Sequence, residues 1–139
     1  MDEMLTKIAK LNEAQAANRI DEATWKKIFD AAADGMIVVD RKGTIMAVND
    51  RIIHMFGYPS EELVGKPVHI LLAPEFVERH KQHIPLWFKN PTARPMESGR
   101  TLQGRNCDGE IVNVQISIAP TVYYGGVLGV ATLRPVTGG

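Results

Sequence analysis

From Val112 to Ile118 an apolar side chain stands at every second position (Val112, Val114, Ile116, Ile118), with Asn113, Gln115 and Ser117 between them. A period of two describes a β-strand with one face turned inward. Such a strand cannot stand alone, because its apolar face must be covered and its edges paired. The neighbouring sequence supplies partners. "TLQGR" precedes it, "GGVLGVATLRPV" follows it, and "NCDG" and "YYGG" are the turns. Closer to the start, "MIVVD" and "TIMAVN" are two more β-rich runs separated by Arg41, Lys42 and Gly43, which predicts a tight antiparallel hairpin.

Elsewhere the apolar period is helical. Met4–Arg19 carries Leu5, Ile8 and Leu11 at spacings of three, then Ala14, Ala16 and Ala17. This narrow stripe either packs against a partner helix or frays as a terminus. Asp21 predicts the cap of a second helix, with Trp25, Ile28, Phe29 and Ala32 on one face and Gly35 as its stop. Asp50 predicts the cap of a short helix with Ile52, Ile53 and Phe56 turned inward, ended by Gly57. Ser60 starts another, which Gly65 and Pro67 terminate. Phe76–Asn90 is a longer helical stretch whose helical character Pro85 compromises and which it is expected to kink, since proline lacks an amide donor and crowds the preceding turn. The order is helix, two strands, short helices, three strands. That is an α+β plan with helices across one face of an antiparallel sheet.

Composition narrows the function. The 139 residues suit one domain, with 1–20 as an N-terminal amphipathic helix and 21–137 as the folded unit. Sixteen basic residues balance sixteen acidic ones without a basic run, which favours neither nucleic acid nor a membrane surface. The apolar runs are strand-sized, no secretory segment stands at the start, and Cys107 is the only cysteine, so a cytoplasmic setting is expected. Neither a "GxSxG" elbow nor a phosphate-binding glycine loop occurs, and the length leaves no room for a kinase or cyclase domain. The chain is expected not to be an enzyme.

The stretch "IFDAAADGMIVVDRKGTIMAVNDRIIHMFGYPSEELVGKPV" and the later "RNCDGE" resemble the PAS family from about Trp25 to Thr137. The resemblance implies a five-stranded antiparallel sheet of order 2-1-5-4-3, with helices enclosing a pocket on its inner face. It also implies sensing of small molecules, light or redox state, or dimerisation. The lining expected here includes Val39, Ile53, Phe56, Ile70, Leu72, Leu86, Arg100, Ile116 and Ile118.

Within that family, "LLAPEFVERHKQHI" is similar to the segment bearing the proximal histidine of FixL-type oxygen sensors. The resemblance puts His80 on the haem-iron ligand, Arg100 on the arginine facing bound oxygen, and Ile116 and Ile118 on the apolar distal wall. The stretch from Pro74 to His80 is one residue shorter than in those sensors, and His83 and Trp87 replace tyrosines. A flavin photoreceptor of the LOV kind needs its cysteine on a helix, whereas Cys107 falls in a hairpin turn. His80 and His83, three apart, form a second metal pairing, with His69, His54 and Glu78 as further donors. Trp87 and Phe88 either stack on an aromatic ligand or belong to the core.

Two functions follow. One is a sensory input domain that binds a small molecule or cofactor, possible haem included, and passes the change to an effector or kinase domain, as in two-component systems. The other is a ligand-free interaction module that forms a homodimer through the N-terminal helix and the outer sheet face. At the end, "LRPVTGG" has Pro135 where the family's "D-I-T"-like motif has aspartate. Either the sequence is a piece of a longer chain, or output leaves from the N-terminal helix.

Overall fold

A computed structural model describes residues 3–7, 21–96, 101–124 and 126–136. Of the expected helix Met4–Arg19, residues 3–7 are helical and exposed, and the remainder lies outside the described residues, as does Arg100.

Asp21 caps α1 (Glu22–Ala31) by accepting from the Thr24 amide at 2.7 Å. The helix ends at Ala32, which is extended, rather than at Gly35. Gly35 instead opens β1 (Gly35–Val39), which pairs antiparallel with β2 (Ile45–Val48). Their turn is held by Asp40, whose Oδ1 accepts from the Lys42 and Thr44 amides at 2.9 Å each. α2 (Asp50–Phe56) is capped by Asn49, not Asp50, and closed by Gly57 at a φ of 77°, a left-handed conformation that glycine adopts without steric cost. α3 (Ser60–Leu63) and a 3-10 turn (Val68–Leu71) lead into α4 (Pro74–Lys89).

Helix α4 continues through Pro85. Pro85 and Lys81, whose carbonyl it leaves unbonded, both lie on the exposed side, where water can take the missing donor's place. The remaining strands are β3 (Thr101–Arg105), β4 (Ile111–Tyr123) and β5 (Gly126–Pro135). The sheet order is β2-β1-β5-β4-β3, with every pairing antiparallel. β4 runs past Pro120 because that residue's missing donor falls on a free edge. Ile118 exchanges both hydrogen bonds with Arg94 on the side away from β5, and Pro120 faces the same side two residues on.

The inner sheet face, with Ile37, Val39, Ile45, Val114 and Leu133, packs against Ile52 and Phe56 of α2, Leu63 of α3, and Trp87 and Phe88 of α4. α1 contributes no buried residue. Trp25 and Ile28, expected on its apolar face, are 57% and 47% exposed. No helix among the described residues is long and apolar enough to cross a membrane.

Candidate functional site

Helix α4 crosses the inner sheet face and carries the stripe His80, Ile84, Trp87, Phe88, spaced four, seven and eight from His80. That spacing keeps all four on one side of a helix of 3.6 residues per turn. Leu86 stands about 200° from Ile84 and is 62% exposed, so it does not line an inner pocket as expected. His83 is exposed as well.

Trp87 and Phe88 lie over β5 where the sheet offers no side chain. A Cβ on Gly129 would stand 3.3 Å from Trp87 Cζ3 and 3.6 Å from Phe88 Cζ. The two rings meet edge to face at 4.9 Å, and the Trp87 indole donates to the Thr92 carbonyl at 3.1 Å. Phe56 of α2 presses on Gly104 of β3 in the same way, with Cε1 2.7 Å from where a Cβ would be. Glycine at both positions lets an aromatic ring approach the strand backbone closely. Both residues expected as either ligand platform or core, Trp87 and Phe88, are core. Ile116 and Ile118 share the inner face of β4 and, like Ile70 of the 3-10 turn, are partly buried against that core. Leu72, also partly buried, bridges to Gly104.

Nearer the β1–β2 turn, His80 meets His69 of the 3-10 turn rather than His83. Their rings stand edge to face with centroids 5.1 Å apart. His69 Nε2 and His80 Nδ1 are both buried without a hydrogen-bond partner. Burial, followed by the charges of His69 and His83, pushes the His80 pKa down from 6.5 to about 4. Burial also lowers that of His69; Lys81 adds to the shift and Glu78 opposes it. Both rings are therefore neutral at pH 7. The ring set against His80 is that of His69, and Arg100, expected to face bound oxygen on a haem there, lies outside the described residues.

A cavity of about 320 Å³ opens on the opposite, outer sheet face, lined by Asp34, Met96, Gln115, Ser117, Thr132 and Arg134. Arg134 clamps Asp34 through two bonds of 3.0 and 3.1 Å. The outward half of the alternation, Gln115 and Ser117, was its signal in the sequence.

The polar centre of the domain is Asn49, which is fully buried. Its Oδ1 accepts from Met36 N at 2.9 Å and Ile52 N at 3.3 Å, and its Nδ2 donates to Phe29 O and Asp34 O at 3.0 Å each. One side chain thus joins α1, β1 and α2. Nothing in the spacing of the sequence marks it out, apart from its place before a helix.

Residues 23–134 match the PAS fold family. The chain belongs to the PAS family. Over 131 residues, 94% of this chain and 12% of the relative, it is 29% identical to the cell-division control histidine kinase PdhS of Brucella anthropi. The chain thus spans about an eighth of that relative. Among solved structures, the PAS domain of an HTR-like protein from Haloarcula marismortui superposes with a TM-score of 0.69 at 19% identity, covering 94% of this chain and 98% of that one. A PAS domain from a two-component sensor histidine kinase superposes at 0.65 and 15% identity, covering 98% and 100% respectively. This PAS domain is thus a sensory-type module homologous to those of histidine kinases, and isolated domains of this kind are not enzymes.

Proposed function

We propose that this PAS domain is the input module of a histidine-kinase-type signalling protein, and that it turns an event on the inner sheet face into a displacement of α1. The observation that carries this reading is the position of α2. Its Ile52 and Phe56 lie in the core against the inner face, and Asn49, at its N-terminus, holds the end of α1 through the Phe29 carbonyl. A two-residue polar grip adds to that link, with Asp30 Oδ1 accepting from Asp50 N at 3.1 Å and Ala33 O from Arg51 Nε at 3.0 Å. A ligand that shifts Phe56 therefore moves the anchor of a helix that has no buried side chain of its own.

The ligand of this reading is a small apolar molecule held between α4 and the sheet, beside Ile70, Leu72, Ile116 and Ile118. Native mass spectrometry of the purified chain tests it. One bound molecule per chain is expected, absent from Ala131→Phe, which fills the inner face opposite Ile118. A ligand retained by that variant overturns the placement, and a chain free of ligand overturns the sensing role. Haem is the cofactor alternative, and a Soret band lost in His80→Ala would support it.

A second reading, the ligand-free homodimer, is favoured by Trp25 and Ile28 on α1 and by the partly exposed outer-face residues Met36, Val38, Leu128 and Val130. On this reading α1 of one copy covers apolar surface of another.

A further inference from the structure

The sequence pairs His80 with His83 as metal donors, but the fold pairs it with His69. Two imidazoles from different elements, one on the 3-10 turn and one on α4, stand with centroids 5.1 Å apart, and each keeps a buried ring nitrogen without a partner. A buried polar atom with nothing to bond destabilises the fold unless something pairs with it. We propose that His69 and His80 form a binding site for a divalent transition-metal ion such as zinc or copper.

The chemistry follows from the donors. Neutral imidazole is a borderline-soft nitrogen ligand, binding zinc and copper at roughly 2.0–2.1 Å. Rings whose centroids stand 5.1 Å apart are close enough for one ion to take a nitrogen from each. Local stiffness favours the ion too. His69 sits on a turn whose Leu72 amide bonds back to the His69 carbonyl at 3.1 Å, and His80 sits at the middle of α4. Glu78 is close enough to influence His69 electrostatically, and Lys81, which opposes it, pairs with Glu78 at 3.7 Å. Among the described residues no group of three His, Cys, Asp or Glu side chains is placed to hold a metal. Two protein nitrogens and water therefore complete the coordination, and the site is an exchangeable one. An ion there ties α4 to the 3-10 turn, two elements that cover the sheet. The inference is independent of whether the inner face holds an organic ligand.

The test uses the untagged full chain stripped with chelator and titrated with zinc by calorimetry, with copper by electron paramagnetic resonance, and with zinc while the histidine ring signals are followed by NMR. One ion per chain, two coordinating nitrogens, and zinc-induced shifts of the His69 and His80 rings are expected. His69→Gln and His80→Gln each weaken binding by at least the roughly 10–100-fold that losing an outer partner of a ligand costs, while His54→Gln and His83→Gln leave it unchanged. Absence of saturable binding overturns the proposal, as does binding that persists in His69→Gln and His80→Gln. Ring shifts confined to His54 or His83 in the unaltered chain overturn it without recourse to any variant.

Discussion

Asn49 Nδ2 donates to the Phe29 carbonyl at 3.0 Å, binding the last full turn of α1 to the first residue before α2, twenty positions later. The same side chain bonds three further backbone groups, so its loss removes the partner of the Met36 amide and the Asp34 carbonyl in a buried site, while the Ile52 amide keeps the Asn49 carbonyl and the Phe29 carbonyl keeps the Ala32 amide. Asn49→Ala is expected to cost about 2–4 kcal/mol in chemical denaturation. Asn49→Asp keeps the acceptor, loses the donor and adds a buried charge, and is expected to be no better tolerated.

Gly129 is matched to the aromatic pair above it. Gly129→Val places branches where Trp87 and Phe88 lie, with an expected cost of about 1–3 kcal/mol from overpacking. Because the added side chain meets Trp87 as well as Val39 and Phe88, Trp87→Ala in the same chain relieves part of the crowding, and the pair should cost less than the sum of the two single changes. A double-mutant cycle that is additive would show that the rings do not rest on Gly129.

His80 gives the metal-free chain a pH dependence of known sign. Its folded-state pKa is near 4 against 6.5 when unfolded, so between those values the unfolded chain binds a proton that the folded one does not. Stability therefore falls as pH drops from 6.5 towards 4, by roughly 1–2 kcal/mol at pH 5 relative to pH 7. The stability of wild type relative to His80→Leu should fall by that amount as the pH is lowered across that range; parallel curves would remove His80 as the cause.

Trp25→Glu with Ile28→Glu separates folding from assembly. Neither side chain is buried, so stability should change by no more than about 0.5 kcal/mol. If α1 is a contact between copies, sedimentation of the double variant should show monomer where the unaltered chain shows dimer. A dimer that withstands both changes places the interface elsewhere.

Much of the sheet was legible from the sequence because period-two patterning and Asp-Gly turns act locally. The strand order came from the family resemblance and matches the order observed. The errors arose where context outweighed local rules. Leu86 is apolar yet exposed, which a helical wheel centred on Trp87 and Phe88 would have revealed. Asp50 looked like the cap of α2, but the residue before it can also serve, and Asn49 does. The His69–His80 contact spans eleven residues and two elements, so spacing along one helix pointed to His83 instead. Asn49 is a hub only because three segments converge on it, which no single segment records.

The link from inner sheet face to α1 is tested most directly by hydrogen exchange on Gly104→Ala, whose added methyl meets Phe56 Cε1 at the far end of α2 from Asn49. Exchange is predicted to quicken in α2 and also in Glu22–Ala31, although α1 lies across the domain from the substitution. Faster exchange in α2 with α1 unchanged from wild type would contradict the account.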